Sequence, residues 1–367
     1  MDGAQVNIRR LSILLTLSPL ALACGASTVD LDATVMQSSN EPGVLGIVHE
    51  RVEQIAVDDE RLYWSGSHLL RTDGANTWFL HSCQKSNCAS TLVTYDAQGS
   101  GADNFFSVSG GEIYWYRSYS RALLSCPIAG CNGTPGTLAT DFGFSAGAFD
   151  GDSFYFSDAQ SIPQVIDSLP ILEPGPRQPV AAAPGSVHKV VIRDAYAYWQ
   201  SELNTGSESL LMRTRKDGSS SALETIANDV KHSNDHGFDL TTDANSIYWT
   251  NNQLAGAIHR CPLTGCSGAS EQVLAPLRAP QGLLVDGSEL YYTHETKPYE
   301  YALSSCSLSA CAQSLPLIEH LDAPDVVALD DQYVYAATTE QDVSPNNFET
   351  DTIAKIHRLP KPDRGAP

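Results

Sequence analysis

The chain reads as an all-β protein, a seven-bladed β-propeller whose ring is closed by its own N-terminal strand. Three observations carry that reading. An aromatic phrase with a fixed tyrosine recurs seven times: Leu62-Tyr63-Trp64, Ile113-Tyr114-Trp115, Phe154-Tyr155-Phe156, Ala197-Tyr198-Trp199, Ile247-Tyr248-Trp249, Leu290-Tyr291-Tyr292 and Val334-Tyr335-Ala336. Successive tyrosines stand 51, 41, 43, 50, 43 and 44 residues apart, a mean of about 45, which is the length of one four-stranded blade. The last repeat lacks a fourth strand, while a surplus strand, Val44 to Val48, precedes the first. The alternative arrangement is six blades with one aberrant repeat.

From the N-terminus, Arg9 and Arg10 precede a broken apolar run, Leu11 to Leu22, and small residues lead to Cys24. That order is an export signal over residues 1–23, and the run is too short for a membrane span. A cysteine just past Ala23 resembles a bacterial lipobox, in which the thiol takes a diacylglycerol and becomes the first mature residue. The alternative is a plainly cleaved signal with Cys24 spare or removed. Residues 24–43 are small, polar and acidic, a flexible tether. Gly25 after the cysteine points, by the enterobacterial sorting rule, to the outer membrane. The propeller then takes residues 44–362 as one domain, and residues 363–367 form a disordered tail.

Each repeat extends beyond its aromatic pair. An aspartate stands five positions before the tyrosine in five copies, at Asp58, Asp150, Asp243, Asp286 and Asp330. An apolar run, a polar turn and the aromatic strand make a β-hairpin, and two hairpins make a blade of strands a to d. One blade cannot bury both of its faces, so the blades stack in a ring. Strand a lines the central channel and strand d lies at the rim. The d-to-a and b-to-c loops share one face, and the a-to-b and c-to-d loops share the other. The recurrent aspartates cap the hairpin turn through its backbone amides. By phase, Trp64, Trp115, Trp199 and Trp249 belong to the core between blades.

Eight of the nine cysteines fall into pairs with four residues between them: Cys83/Cys88, Cys126/Cys131, Cys261/Cys266 and Cys306/Cys311. All lie at the junction of strands c and d, where a reversal brings residues five apart across a hairpin to bridging distance. In blade four, Thr214 and Ser219 take both cysteine positions together, as a disulfide requires. Structural zinc needs two such pairs close together, and these pairs belong to different blades.

The formal net charge is −21, and removal of residues 1–23 (Asp2, Arg9 and Arg10) leaves −22. Such a surface excludes nucleic acid and anionic lipid as partners, leaving the membrane to be met only through the N-terminal lipid. Walker loops and zinc-protease helices are absent from the sequence.

The run Ile247-Tyr248-Trp249-Thr250-Asn251 resembles the YWTD signature of receptor-type propellers. The order Ile258-His259-Arg260, Leu263-Thr264-Gly265, Val273-Leu274, then Ala279-Pro280-Gln281-Gly282 and Asp286 follows that family over blades five and six. YWTD rings have six blades, so the chain is similar to the wider class that includes NHL-type extracytoplasmic propellers. That resemblance implies binding of protein, peptide or glycan. Some relatives carry a hydrolase or lyase site with a metal in the channel.

Candidate sites follow from loop position. His232, Asp235 and His236 lie in the d-to-a loop before blade five and could ligate a divalent metal. Trp78, Tyr299, Tyr301 and Phe348 are candidate exposed anchors on the same face, Phe348 in the longest b-to-c loop, which also carries Asp342 and Asp351 as candidate calcium ligands. Together these features predict an exported, lipid-anchored, monomeric binding module at the bacterial cell envelope. The alternatives are a metal-dependent hydrolase or lyase with its site at the channel mouth, and a structural scaffold of an envelope complex.

Overall fold

The computed structural model describes residues 36–362, apart from 70–75, 100–104, 172–174, 204–207, 220–221, 232–237, 267, 299, 322–326 and 343–350. The signal, Cys24, the first part of the tether and the tail 363–367 thus lie outside the described residues. The described chain forms seven four-stranded antiparallel sheets. It is a seven-bladed β-propeller, as the repeat count predicts.

Blade one runs Arg51–Val57, Arg61–Leu69, Asn76–Gln84 and Val93–Gly99. Each blade through the sixth repeats that order of a, b, c and d. The seventh is made from both ends of the chain: Val327–Leu329, Tyr333–Asp342 and Asp351–Pro360 are completed by Val44–Val48. Ile47 pairs with Lys355 and Val48 with Ala354 in an antiparallel ladder. Closure pairs the outer edge of Asp351–Pro360, which would otherwise be open to pairing with another chain. The outer edge of this strand is itself covered. Gln37 exchanges two backbone hydrogen bonds with Ile47 at 2.8 and 3.0 Å, and Met36 fills the space over Gly46.

The aromatic pair explains why blades stack. Neighbouring residues on a strand face opposite sides of the sheet. The tyrosine of each blade therefore meets the aromatic partner of the next: Tyr63 with Trp115, Tyr155 with Trp199, Tyr198 with Trp249, Tyr335 with Trp64. Seven such clusters fill the seven junctions. The four predicted core tryptophans are all 0 % exposed.

Asp58, Asp150, Asp243 and Asp330 cap their turns as expected, and three of them do one thing more. Asp243 Oδ1 accepts from the amides of Asn245 and Ser246, both at 2.7 Å, and its Oδ2 accepts from the Tyr248 phenol at 2.7 Å. Asp58–Tyr63 and Asp330–Tyr335 repeat that bond at 2.6 and 2.7 Å. In these three blades the tyrosine is thus fixed twice, by its ring in the junction and by its hydroxyl on the turn.

All four predicted disulfides are present: Cys83–Cys88, Cys126–Cys131, Cys261–Cys266 and Cys306–Cys311, with Cα separations of 4.7, 5.5, 5.2 and 4.7 Å. One detail differs from the expected hairpin crossing. Cys83, Cys126, Cys261 and Cys306 lie near the ends of their c strands, but none of their partners reaches strand d. Cys88 opens a short 3-10 turn, Cys88–Ser90, and Cys131, Cys266 and Cys311 sit in the connection between c and d. The reason is the tightness of the reversal. In two of the connections the turn closes within four residues, Gly130 N–H bonding the Pro127 carbonyl at 2.8 Å and Gly265 N–H that of Pro262 at 2.9 Å. The second thiol thus meets the first before a new strand begins. Each bridge staples strand c to its own outgoing loop and does not cross the ladder. In blade four, the buried Thr214 bonds the Ala222 carbonyl at 3.2 Å instead. A hydroxyl pins the connection where the disulfide is missing.

Candidate functional site: the channel mouth

The leading halves of the inner strands enclose a cavity of about 740 Å³. Those halves adjoin the d-to-a loops, so the cavity opens on the face that the b-to-c loops share. Three inner strands bulge at this level. Blade one gains Glu53 between Val52 and Gln54, blade four sets His188 and Lys189 against the single Gln200, and blade six shifts between Gln281 and Leu284. A bulge re-aims side chains out of the ladder's alternation. Glu53, His188, Lys189 and Leu283 accordingly line the mouth. Gly282 accommodates its bend at φ +53°, a region costly for other residues.

The polar side of the mouth is a set of fixed pairs. His188 Nε2 lies 2.6 Å from Glu202 Oε2, and Lys189 Nζ lies 2.8 Å from Asp239 Oδ1. Asp239 also accepts from its neighbours, from the Leu240 amide at 2.8 Å and the Leu283 amide at 2.5 Å. One carboxylate thus ties blades four, five and six. Glu53 Oε1 accepts from Ser67 at 2.6 Å, and its Oε2 is buried without a hydrogen-bond partner. Burial raises the Glu53 carboxyl above its ordinary value, Ser67 and Arg51 act against that shift, and Glu50 adds to it.

The other side is aromatic. Phe105 and Phe144 line the cavity, half-buried, with ring centroids 5.0 Å apart. They sit at the exposed end of a phenyl stack that runs through Phe149 and Phe154. Gln54 clamps this side to Glu53, its amide bonding both backbone groups of Phe106 at 3.0 and 3.1 Å. The mouth therefore offers an apolar surface and a carboxylate side by side, beside a lysine and a histidine.

Comparison with known proteins finds relatives in fold alone. No protein-family model and no curated protein matches the chain. Acylaminoacyl peptidase from Pyrococcus horikoshii is similar at 7 % identity and TM-score 0.57, over 84 % of this chain and 51 % of that one. Kuenenia stuttgartiensis hydrazine synthase is similar at 12 % identity and TM-score 0.55, over 88 % and 97 %. An inactive variant of virginiamycin B lyase from Staphylococcus aureus, solved with quinupristin, is similar at 12 % identity and TM-score 0.54, over 88 % and 98 %. At these identities the likeness is one of fold.

The sequence-predicted sites fare unevenly. His232, Asp235, His236, Tyr299 and Phe348 lie outside the described residues. Among the described residues, no group of three His, Cys, Asp or Glu is placed to hold a metal ion. Trp78 and Tyr301 are not exposed anchors: each is 8 % exposed. The hairpins extend further than the turn signals suggest, so Ser67 pairs with Trp78 and Glu295 with Tyr301 inside the ladder. There the two rings pack between blades. Likewise Asp342 and Asp351 face each other as ladder partners of blade seven.

One Ser–His–Asp grouping outside the mouth invites a catalytic reading, and its hydrogen bonds run the wrong way. Asn251 holds its amide by accepting from the Lys231 N–H at 2.9 Å. Its Nδ2 therefore donates to His259 Nε2 at 3.0 Å. The other ring nitrogen, Nδ1, must carry the proton and donate to Ser270 Oγ at 2.7 Å, and Ser270 donates to Asp229 Oδ2 at 2.5 Å. Burial lowers the proton affinity of His259. The imidazole gives a proton to the serine instead of taking one, so this network braces blades four and five and does not activate a nucleophile.

Proposed function

We propose that the chain is an exported, lipid-anchored propeller of the bacterial cell envelope that binds a protein, peptide or glycan in its channel mouth. The observation that carries this reading is the combination of bulged inner strands and a phenyl floor. Three blades turn side chains into one cavity, and Phe105 and Phe144 keep an apolar face open beside Glu53 and Lys189. A rigid scaffold with a few convergent polar groups is the common form of a preformed site. The acidic chain disfavours nucleic acid. Lipid attachment at Cys24, an outer-membrane address and a monomeric state belong to this proposal.

The test is capture from envelope extract by the wild type and by a Phe144→Ser, Lys189→Glu variant. Specific retention that the variant loses supports the reading. Retention that is unchanged, or absent from both, defeats it. A metal-dependent hydrolase or lyase is the second reading, favoured by Glu53 Oε2, which is buried at the mouth without a hydrogen-bond partner. A stoichiometric divalent ion in the purified protein, lost in His236→Ala, would support that reading.

A further inference from the structure

We propose that three apolar loop tips on the channel-mouth face, those of blades two, three and five, dip into a lipid bilayer. Large hydrophobic side chains exposed singly carry no meaning by themselves. Here their placement is regular. Tyr119 (57 % exposed), Ile162 (99 %) and Leu254 (62 %) occupy the b-to-c loops of blades two, three and five. Every b-to-c loop whose residues are all described carries one. The first two loops are tied together, Arg121 Nη2 donating to Gln160 Oε1 at 2.5 Å. The Arg117 guanidinium lies over the Tyr119 ring at 5.8 Å, a pairing suited to the headgroup layer. The other two exposed large hydrophobics, Leu223 (39 %) and Leu315 (46 %), lie on the opposite face where d strands begin.

A second observation comes from the course of the chain. Strand Val44–Val48 runs from the opposite face toward the mouth face. The segment before it runs back antiparallel, with Gln37 beside Ile47 and the Gln37 amide 3.1 Å from His49. Met36, 2 % exposed, thus sits at the mouth-face end of blade seven. Cys24 stands 12 residues before Met36, a reach of at most about 40 Å. The surface that the three tips address is therefore within reach of a lipid on Cys24. Acyl chains and buried apolar area add in membrane binding. The net charge of −21 selects zwitterionic over anionic lipid. The tether argument rests on the lipid-anchor reading above; the placement of the tips does not.

An environment-sensitive dye on Ile162→Cys, Leu254→Cys or, as the control, Leu223→Cys reads this directly. The full chain is mixed with vesicles of phosphatidylethanolamine and phosphatidylcholine, once as exported and once as a Cys24→Ser variant. Dyes at 162 and 254 should shift to the blue and lose access to iodide, while the dye at 223 stays as in water. Adding phosphatidylglycerol should weaken the effect in the variant that cannot carry lipid. The shift in both forms supports the proposal. The shift only in the exported form supports it too and assigns the holding energy to the anchor. Dyes at 162 and 254 that match the control in both forms overturn it, as does a shift that needs envelope protein instead of vesicles. The three substituted side chains are exposed, so unchanged melting shows that the fold is intact.

Discussion

Lys85 Nζ lies 2.7 Å from Asp330 Oδ2, across the junction between blades one and seven. The relationship recurs. Lys216 reaches Asp150 at 2.7 Å from blade four to blade three, and Lys361 reaches Asp286 from blade seven to blade six. Each lysine directly follows strand c of its blade, and each aspartate stands five residues before the tyrosine of the blade before it. Elsewhere the same place is aliphatic, as at Ile128 and Leu263, which pack into the neighbouring blade. One position thus locks junctions by charge or by apolar contact.

The Lys85–Asp330 pair is well covered, with side chains 13 % and 15 % exposed, while Asp286 is 48 % exposed. Breaking a buried pair strands a charge, and breaking a surface pair does little. Lys85→Met should lose about 2–3 kcal/mol and Lys361→Met less than about 1 kcal/mol. Urea unfolding of the two variants compares them; equal losses would mean that burial does not set the strength of these contacts.

Acid should destabilise the ring through its caps. Burial acts to raise Asp330, Asp150 and Asp243, yet all three are held below their ordinary values. Lys85, Tyr335 and turn amides outweigh burial at Asp330, Lys216 and turn amides at Asp150, and Tyr248 and turn amides at Asp243. A depressed carboxyl stabilises the fold above its unfolded value of about 3.9 and ceases to do so as pH falls through the folded value. Melting temperature should therefore fall below about pH 4.

Asp167 has the opposite sign. Burial pushes its carboxyl up to about 6, with Arg177 acting against the shift and Asp158 adding to it. Between that value and about 3.9 the folded chain holds a proton that the unfolded chain releases. The wild type should therefore gain stability relative to an Asp167→Asn variant as pH falls from 7 to 5. Thermal melts at the two pH values decide it.

The cap and its phenol separate by substitution. Tyr248→Phe removes one bond to Asp243 and should cost about 1 kcal/mol. Asp243→Ala removes that bond and two amide bonds and should cost about 2–3 kcal/mol. Chemical denaturation measures both.

Gly46 tests the closing strand. A Cβ there would lie 2.0 Å from Met36 Cε. Gly46→Leu should evict Met36 and cost about 2–3 kcal/mol. Limited proteolysis should then cut between Met36 and Gly43 in the variant faster than in the wild type.

The ring was legible because its signals repeat. A tyrosine at constant phase, an aspartate five places earlier and a strand too many at one end are periodic facts, and periodicity survives changes in loop length. Val44–Val48 could be placed because only blade seven lacked a fourth strand. The cysteine spacing gave the four pairings, but not that Cys88, Cys131, Cys266 and Cys311 stop short of strand d, because spacing alone does not say where a strand resumes. The mouth was not legible in the same way. Glu53, His188 and Lys189 reach the channel through bulges, which displace one or two residues without a turn signal. Phe105 and Phe144 stand just before the apolar runs Phe106–Val108 and Ala146–Ala148, a weak hint that they project from the end of an inner strand. Trp78 and Tyr301 misled because loop length was judged from turn residues, and both hairpins continue past them. Lys85 and Asp330, 245 residues apart in sequence, meet only because the ring closes.

Blade seven joins the first strand of the propeller to the last one made. Until Asp351–Pro360 has been made, Val44–Val48 has no ladder to join, and the cost of holding it ready grows only slowly with the intervening length. Any product cut short near its C-terminus leaves two ragged sheet margins, one at each end of an open arc. The circle thus closes only once its seventh blade is in place, and a protease needs to inspect only that seam to tell a whole ring from an open arc.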